Sequence, residues 1–389
     1  MLIGIDGNEA NTSKRLGVGE YAYELLMQFS TPCHSREGGN PDPSKHKITE
    51  DLKFSIYLKN EPLPNLPNAS NNWNYRVLKP GKFWTQWRLP LDLYLHKPKP
   101  DVFFTPTHYA PRFSSIPTVI SIMDLAYIYF PEMFKKTDLF KLKNWTARSV
   151  RNAKKIITIS LSTKNDIIKE YLVPEEKVIV VYPGIKPTVY QNSQPFTMDT
   201  LQSKYQISKN FILFVGTLQP RKNISRLIEA FAKILSQQKM PPDLQLVIVG
   251  KKGWLYEDII KKPAELKIEE KVKFLDFVND EELTIFYKNA ICYVLPSLYE
   301  GFGLPVLEAM KHDCPVVTSN VSSLPEAGGN AALYVNPEDV FDIAQKINIL
   351  ISNKQLRQEL IEKGKKQVAK FSWEKTAKET LKVLEEAAN

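Results

Sequence analysis

Short runs of β-branched and apolar residues alternate with helix-length segments along nearly the whole chain of 389 residues. This alternation is typical of parallel strands joined by helical crossovers, and it predicts an α/β fold. The predicted strands of the first half are 2–6, 53–58, 101–106, 118–124, 155–160 and 177–184, and those of the second half are 211–216, 244–250, 272–278, 292–297 and 314–319. Each half is therefore predicted to form a doubly wound parallel sheet of the Rossmann type.

The composition excludes several classes of protein. Hydrophobic residues make up 43% of the chain, which is typical of a globular protein rather than a disordered one. No apolar run reaches the roughly 18 residues that span a bilayer, and the opening "MLIGID" predicts a strand rather than a secretory signal. Cys33, Cys292 and Cys314 are too few and too scattered for a disulfide framework or a zinc site. These features predict a cytoplasmic protein.

The formal net charge of +9 is unevenly distributed along the chain. Residues 1–186 contain 26 Lys and Arg against 18 Asp and Glu, whereas the remainder contains 26 against 25. A basic half beside a nearly neutral half indicates that one half meets an anionic partner. Nucleic acid, an acidic membrane surface and a phosphorylated substrate all fit this pattern, and so does an ordinary basic surface in solution.

Distinctive residues directly follow three predicted strands of the second half. "TLQPRKN" contains Arg221 and Lys222, "KKGW" follows Gly250, and "LYEGFGLPVLE" contains Glu300 and Glu308. Because the carboxyl ends of parallel strands meet at one edge of a sheet, we expect these loops to lie side by side and to form a ligand site.

The loop residues suit a diphosphate. Gly301 and Gly303 let backbone N–H groups approach an anion without interference from a Cβ atom. Pro305 favours the start of a helix, whose positive end then points at the anion. Arg221 and Lys222 add two full positive charges, and an arginine can bind phosphate oxygens with two parallel hydrogen bonds.

Two glutamates flank the same turn. We place Glu308 inside the first turn of the helix, where its carboxylate can accept hydrogen bonds from the vicinal hydroxyls of a ribose. Glu300, at the strand end, can do the same for a second hydroxylated ring. A diphosphate, a ribose and a sugar together make a nucleotide-sugar.

Taken together, "GTLQPRKN" and "PSLYEGFGLPVLEAM" resemble the retaining glycosyltransferases of family 4, also called glycosyl transferases group 1, and their mannosyltransferase-like members. The EX7E motif of that family matches Glu300 and Glu308. The similarity continues through "GVGEYAYELL" (17–26), "DLAYIYFPEMF" (124–134), "VYPGI" (181–185) and "FSWEKTAKETL" (371–381). The resemblance implies an α/β fold of the GT-B class, with two facing Rossmann-like, doubly wound parallel-sheet domains and a deep interdomain cleft.

We predict a domain junction where the sequence becomes rich in Pro, Ser, Gln and Thr. The predicted parts are an N-terminal acceptor-binding domain (1–185), a linker (186–207), a C-terminal nucleotide-sugar-binding domain (208–370) and a terminal helix (371–389) that packs back towards the N-terminal domain. Residues 31–50 hold almost nothing apolar, and we interpret them as a disordered insertion without function.

The resemblance also implies roles for single residues. Arg221 and Lys222 would stabilise the leaving diphosphate, Glu308 would hold the ribose and Glu300 the donor sugar. Gly17 and Gly19 would form a loop over the phosphates, and Gly250, Phe277 and Val278 would line the base pocket. The remaining predicted donor-site residues are Thr217, Gly301, Phe302, Gly303 and Leu304. No D-x-D triplet occurs in the sequence, so we predict neither a metal nor another cofactor.

The acceptor side is predicted to lie in the N-terminal domain. Relatives often carry histidine where this chain has Met123, and we expect Asp124, with His108 nearby in sequence, to serve the acceptor. The segment 81–97 carries Trp84 and Trp87, and the segment 133–155 is strongly basic. Long cationic amphipathic stretches can lie on anionic bilayers, although tryptophans in a core and solvated lysines are the alternative. We therefore expect a peripheral enzyme at the inner face of the plasma membrane.

The predicted reaction is transfer of a hexose, with mannose favoured, to a hydroxyl of a glycan or lipid-linked acceptor in cell-surface polysaccharide synthesis. GDP-mannose is favoured over UDP-sugars as the donor. The alternatives are a nucleotide-sugar epimerase of the GT-B type and a basic protein that binds nucleotides or nucleic acid without catalysis. A nicotinamide dehydrogenase is disfavoured because the G-x-G-x-x-G spacing is missing, and nucleic acid because no RNA-binding motif or zinc finger occurs.

Overall fold

The computed structural model describes residues 1–15, 17–30, 52–186, 197–237 and 240–389. The predicted insertion 31–50 lies outside the described residues, as do residues 187–196 of the predicted linker. The chain divides into two compact units. The first unit comprises Met1–Ile128, Lys135–Gly184 and Ser372–Asn389, and the second comprises Tyr129–Phe134 and Ile185–Phe371.

The first unit is built on a seven-stranded parallel sheet. Its strands are β1 (Leu2–Asp6), β2 (Lys53–Leu58), β3 (Trp73–Val77), β4 (Val102–Thr105), β5 (Thr118–Ile122), β6 (Lys155–Thr158) and β7 (Val178–Val180). Their spatial order is β3-β2-β1-β4-β5-β6-β7. The chain thus builds outward from β1 on one side and then, from β4, on the other, so the order reverses between β1 and β4.

Helices lie in most of the connections between these parallel strands. They are α1 (Val18–Ser30), α2 (Leu89–Leu95), α3 (Ala126–Tyr129), α4 (Lys136–Asn152) and α5 (Leu161–Tyr171). A π-helical turn, Trp84–Arg88, runs directly into α2.

The second unit holds a six-stranded parallel sheet of the same winding. Its strands are β8 (Phe211–Val215), β9 (Gln245–Val249), β10 (Val272–Leu275), β11 (Cys292–Leu295), β12 (Val316–Ser319) and β13 (Ala332–Val335), in the order β10-β9-β8-β11-β12-β13. Its helices are α6 (Met198–Tyr205), α7 (Ile224–Leu235), α8 (Glu257–Glu265), α9 (Asp280–Asn289), α10 (Leu304–Lys311), α11 (Leu324–Gly328), α12 (Val340–Ser352) and α13 (Lys354–Val368). The order reverses between β8 and β11, which is where open α/β sheets bind ligands.

Burial explains why the central strands were predictable and two others were not. The predicted α/β class and all eleven predicted strands are confirmed, and strands such as β8 and β11 are almost wholly apolar because helices cover them. Strands β3 and β13 were not predicted. Each lies at the edge of its sheet. Strand β3 contains the polar residues Asn74 and Arg76, and β13 is only four residues long with Leu333 and Tyr334 half-buried.

The C-terminal helix α14 (Trp373–Ala388) belongs to the first unit. The Trp373 ring lies 5.9 Å from the Tyr21 ring of α1, and the Thr376 hydroxyl donates a 2.8 Å hydrogen bond to the Tyr182 carbonyl. Residues 198–205, inside the predicted linker, form helix α6 instead of irregular chain. This helix buries Leu201 and pairs Lys204 with Glu282 of α9.

Candidate functional site

The loop after β8 carries the two basic residues of the predicted site. Arg221 and Lys222 lie on a short 3₁₀ turn, Pro220–Lys222, which ends at Asn223 in the left-handed conformation with a φ of 60°. The Asn223 side chain is buried and donates to the carbonyls of Pro296 (2.9 Å) and Pro337 (2.6 Å). Since Pro296 directly follows β11, this amide ties the loop after β8 to its neighbour across the switch point.

The loop after β11 presents Glu300 from a rigid setting. The Ser322 and Ser323 hydroxyls donate to the Glu300 carbonyl at 2.6 and 2.8 Å, and the Glu300 N–H donates to Ser322 Oγ at 3.2 Å. The buried Ser297 hydroxyl donates to Oε1 of the Glu300 carboxylate at 2.6 Å. Both the backbone and the side chain of Glu300 are thus held before any ligand binds.

Arg221 and Lys222 converge on this carboxylate. Lys222 Nζ lies 2.6 Å from Oε1 of Glu300, and Arg221 Nη1 lies 3.2 Å from Oε2 and also donates to the Tyr299 carbonyl. The three side chains are only 14%, 16% and 9% exposed for Lys222, Arg221 and Glu300, respectively. Two cations surround one anion, so the cluster keeps a net positive charge at the switch point. The predicted grouping of Arg221, Lys222 and Glu300 is what the structure shows.

Electrostatics keep Glu300 ionised. Burial by itself raises the pKa of this carboxyl, but the charges of Lys222 and Arg221 and the hydrogen bonds from Lys222 and Ser297 outweigh it and lower the pKa to about 2. Glu300 is therefore a carboxylate throughout the physiological range. It can orient cations and accept hydrogen bonds from hydroxyls, but it cannot donate a proton.

Helix α10 begins immediately after this loop. Gly303 occupies the cap position with a φ of +97°, and a Cβ atom there would lie 2.7 Å from Cδ2 of Leu324. Glycine is required for both reasons. No side chain caps the helix, and its first residues are Leu304 and Pro305. The amino end of α10, with its partial positive charge, therefore lies close in sequence to Glu300 and the serines that hold it.

Glu308 lies in the second turn of α10, so its predicted place in the first turn is wrong. The helix begins at Leu304, one residue before the predicted proline start, because the left-handed Gly303 sets its first turn. Oε2 of Glu308 accepts a 3.3 Å hydrogen bond from the Tyr287 hydroxyl of α9. Burial raises the pKa of Glu308, and the Tyr287 hydrogen bond and the charges of Lys186 and Lys311 only partly oppose it. The two glutamates thus differ in their pKa, which is lowered for Glu300 and raised for Glu308.

The loops after β8 and β9 pair with each other at the same carboxyl edge of the sheet. The Leu218 N–H donates to the Lys251 carbonyl at 2.9 Å, which extends the pairing of the two strands beyond the sheet. Gly250 packs so closely that a Cβ atom would lie 2.0 Å from the Gly216 carbonyl oxygen. Thr217 is half-buried. Its methyl group packs near Gly253 of the loop after β9, where a Cβ atom would lie only 2.9 Å away.

The other residues predicted for the base pocket differ in exposure. Val278 is 6% exposed, whereas Phe277 is 66% exposed, with Lys251 Nζ 5.1 Å from its ring centroid. Phe277 is therefore the member of this pair that offers a stacking surface, and Val278 packs inside. Phe302 is buried against Phe371 at a centroid distance of 5.3 Å, so it supports the loop from within.

The predicted glycines of the first unit lie at the start of α1. Gly17 has a φ of +52°, and a Cβ atom there would meet nothing within 4 Å. Gly19 lies in the first turn of α1, where a Cβ atom would approach the Glu9 carbonyl oxygen to 2.9 Å. Gly17 is thus glycine for its backbone conformation, and Gly19 for close packing.

Asp124 and His108 follow neighbouring strands of the first unit. Oδ1 of Asp124 accepts a 3.0 Å hydrogen bond from the Ala126 N–H at the start of α3. Burial lowers the pKa of His108 to about 4, opposed by the charge of Asp124, so the imidazole is neutral at physiological pH. The charge of Asp124 therefore acts on the His108 imidazole. The His108 ring packs edge-on against Tyr109, with the ring centroids 4.4 Å apart.

The predicted acceptor role of Trp84 is wrong, because its side chain is only 2% exposed. Trp84 packs in a core cluster with Tyr57, Leu89, Phe103 and Ile116. Trp87, three residues on, is 52% exposed. Periodicity could not assign the two rings to opposite sides, since the π-helical turn Trp84–Arg88 shifts the ordinary helical register.

Several residues that build these sites were not predicted from the sequence. Ser297, Ser322, Ser323 and Asn223 hold the Glu300 cluster, and a polar residue at a strand end was the only available signal. Asp6 ends β1 at the reversal point of the first sheet and is 7% exposed. Burial raises its pKa to about 6, against hydrogen bonds from Asn8 and the charge of Lys59. It is the one charged residue of an otherwise apolar strand, which could have marked it.

Solved structures share this architecture over nearly the full chain. Sucrose-phosphate synthase from Thermosynechococcus elongatus aligns with a TM-score of 0.69 at 18% identity, covering 99% of this chain and 98% of the other. HepE from Anabaena, in complex with UDP and glucose, aligns with a TM-score of 0.68 at 20% identity, covering 99% of both chains. WaaG, a glycosyltransferase involved in lipopolysaccharide biosynthesis, aligns with a TM-score of 0.67 at 15% identity, covering 99% of both. The fold is of the GT-B class.

Sequence comparison is more specific. The model described as "Glycosyl transferases group 1" matches residues 198–367, and the model described as "Glycosyltransferase Family 4" matches residues 56–189. The O-antigen chain mannosyltransferase B of Escherichia coli is 30% identical over 382 residues, which is 98% of this chain and 95% of that protein. The O-antigen chain mannosyltransferase RfbU of Salmonella typhimurium is 31% identical over 57% of each chain. The chain therefore belongs to family 4 of the glycosyltransferases.

Proposed function

We propose that this glycosyltransferase transfers a hexose, with mannose favoured, from a nucleoside diphosphate-sugar to a hydroxyl of a glycan or lipid-linked acceptor in cell-surface polysaccharide synthesis. The observation that carries the proposal is the convergence of Arg221 and Lys222 on Glu300 at the switch point of the second sheet. Relatives named as O-antigen mannosyltransferases support mannose and a polysaccharide product.

The cationic cluster suits a departing diphosphate. As the bond between the sugar C1 and the phosphate oxygen breaks, its electron pair stays on the phosphate, and negative charge develops there. Arg221 and Lys222 carry permanent positive charge, and the amino end of α10 adds a partial one. We propose that Glu300 holds both cations in position and accepts a hydroxyl of the donor sugar, while Glu308 binds the ribose.

The proposed stereochemical outcome is retention. The acceptor oxygen forms its bond to C1 on the face that the phosphate leaves, and the acceptor proton passes to a phosphate oxygen. We assign no covalent intermediate. The Glu300 carboxylate is held by Lys222, Arg221 and Ser297, so we do not propose it as a nucleophile. Glu308 is proposed to bind the ribose instead. The anomeric configuration of the product, read by NMR, checks this assignment.

The donor and the conditions of the reaction are also proposals. GDP-mannose is favoured over UDP-sugars on the family resemblance, although an aligned structure contains UDP and glucose and so keeps UDP-sugars in the test. Metal independence stays a prediction, which an assay with and without a chelator checks. We further propose that the protein works on the cytoplasmic side, peripheral to the membrane. Among the described residues, no helix is both long and apolar enough to cross a bilayer.

A transfer assay tests the proposal. Purified protein is incubated with GDP- and UDP-sugars and a lipid-linked oligosaccharide, and both free nucleotide and elongated product are measured. Lys222→Ala is expected to lower turnover by ~10²–10³. Lys209→Ala is the matched control, because Lys209 is exposed and lies at the opposite, amino end of β8. Turnover of Lys222→Ala within about twofold of the native protein, or isomerised donor without transfer, would overturn the proposal.

A further inference from the structure

The helical segment that begins at Trp84 is apolar on two opposite sides. The π-helical turn passes into α2 without a break, since Arg88 and Leu89 both have right-handed helical backbone angles. On the inner side, Trp84, Leu89 and Leu93 pack in the core of the first unit. This burial and the salt bridge between Asp92 and Arg76 of β3 hold the segment against the sheet from its inner side.

The outer side carries five large apolar side chains, which we call the outer face of α2. Their spacing of four, four, three and one places them on one stripe of a helix. The outer face comprises Phe83 (63% exposed), Trp87 (52%), Leu91 (44%), Tyr94 (59%) and Leu95 (72%). A surface helix normally turns polar residues outward, and contiguous exposed apolar side chains mark a surface that binds something.

A neighbouring loop enlarges this apolar surface. The Arg112 N–H donates a 2.9 Å hydrogen bond to the Thr85 carbonyl and so fixes the loop against the helix. Phe113 is 41% exposed, and its ring lies 6.0 Å from the Trp87 ring in an edge-on arrangement. The exposed aromatic surface therefore continues beyond the helix onto the adjoining loop.

Positive charges border the aromatic rings. Lys82 Nζ lies 5.5 Å from the Phe83 ring centroid, Lys99 Nζ lies 5.0 Å from that of Tyr94, and the Arg112 guanidinium lies 5.3 Å from that of Trp87. Asp92 is the only acidic residue between positions 81 and 99. It is 9% exposed and makes a 2.8 Å salt bridge with Arg76, so its charge does not oppose this border.

The basic helix α4 lies beside the same surface. Gln86 of the π-helical turn and Trp145 and Arg148 of α4 line one small cavity of about 10 Å³. Helix α4 also exposes Phe140 (65%). Its exposed basic side chains are Lys136, Lys141, Lys143, Arg148 and Arg151. The segment that contains α2 and the basic helix α4, which both belong to the stretches predicted to lie on anionic bilayers, are therefore neighbours in the first unit.

We propose that the outer face of α2 docks on an anionic lipid bilayer, with its rings at the level of the headgroups and the surrounding Lys and Arg on lipid phosphates. Trp, Tyr and Phe bordered by Lys and Arg are characteristic of membrane–water interfaces. Protein–protein interfaces, in contrast, are depleted in lysine. The inference rests on the proposed function and deepens it. It names the surface by which the first unit, predicted to bind the acceptor, meets the membrane that holds a lipid-linked acceptor.

Vesicle flotation without donor or acceptor tests the inference separately from sugar transfer. The vesicles contain phosphatidylcholine with or without phosphatidylglycerol, at low and high salt. We expect binding only to the anionic vesicles, weakened by salt. The double variant Trp87→Ser/Leu95→Ser is expected to bind about tenfold more weakly or worse. Its control, Leu172→Ser/Phe341→Ser, removes two apolar side chains that are 88% and 70% exposed elsewhere and should bind as the native protein does.

A charge variant keeps the test decisive if the apolar variant fails to fold. Lys97→Glu/Lys99→Glu is expected to weaken binding by roughly fivefold or more per substituted lysine, and Lys363→Glu/Lys366→Glu on α13 is the matched control. Absence of native binding to anionic vesicles at low salt would overturn the inference, as would equal weakening by the controls. Concentration-dependent dimerisation lost only in the outer-face variant, without vesicle binding, would assign the face to a second copy instead.

Discussion

Lys222 Nζ lies 2.6 Å from Oε1 of Glu300, at the point where the strand order of the second sheet reverses. Both side chains are more than four-fifths buried, and Ser297 donates to the same carboxylate oxygen. A diphosphate bound as we propose would meet cations whose positions are already set. The protein therefore does not have to order flexible lysine and arginine side chains during the reaction.

The pair should show strong coupling in stability. Lys222→Met removes one of the two cations beside the buried Glu300 carboxylate and is expected to lower the free energy of unfolding by about 3 kcal/mol. Adding Glu300→Gln should cost less in this variant than in the native protein, because the Lys222–Glu300 interaction is already lost. Urea unfolding of the native protein, both single variants and the double variant measures the coupling. A loss in the double variant equal to the sum of the two single losses would contradict it.

Glu300 should also make stability depend on acid. Its pKa is lowered from 4.5 to about 2, so the folded state favours the ionised form more than the unfolded state does. The resulting stabilisation is complete above pH 4.5 and is lost as the pH falls towards about 2. Glu300→Gln lacks this contribution, and its urea midpoint should fall less than that of the native protein over the same range. Parallel curves would refute the shift.

Asp6 should behave in the opposite way. Its pKa is raised from 3.8 to about 6, so the folded state binds a proton more tightly than the unfolded state, and stability falls as the pH rises between these values. Asp6→Asn removes the cost of a buried charge. Thermal unfolding should show the variant to be more stable than the native protein above pH 6 and equally stable below pH 3.8. Asn8→Ala serves as a control that removes the hydrogen bonds but keeps the charge.

Gly250 should tolerate no side chain. A Cβ atom would lie 2.0 Å from the Gly216 carbonyl oxygen, and two backbone segments would have to separate. Gly250→Ala is expected to cost about 3 kcal/mol or more in unfolding free energy and to weaken donor binding. Gly81→Ala is the control, because its nearest neighbouring atom would lie at 3.7 Å, and its effect should stay within about 0.5 kcal/mol. A fully stable Gly250→Ala protein would show that the loops after β8 and β9 can separate without cost.

Glu308 should act through the ribose. If its carboxylate binds the ribose hydroxyls, Glu308→Gln should weaken binding of the nucleoside diphosphate about tenfold, the effect of one hydrogen bond to a charged group. The dideoxy analogue, which lacks both hydroxyls, should bind the native protein and the variant equally. Glu338→Gln, an exposed carboxylate elsewhere in the second unit, is the control. Calorimetry with both ligands gives the comparison, and an equal loss for both would exclude the ribose contact.

The sequence by itself determined the α/β class, the central strands and the clustering of Arg221, Lys222 and Glu300. The physical reason is local: buried parallel strands are apolar along their length, and polar residues at their carboxyl ends must share one edge. Edge strands β3 and β13 escaped prediction because both are only partly covered, β3 mixes polar and apolar residues, and β13 is only four residues long.

Only the tertiary structure decided which loops became neighbours and which side chains face solvent. The strand order placed the loops after β8 and β11 together, and no local pattern encodes that order. The turn at Gly303 moved Glu308 into the second turn of α10, and a π-helical turn sent Trp84 into the core while Trp87 stayed outside. These outcomes depend on packing between segments far apart in the chain, so they arise only when the whole sheet and its helices assemble.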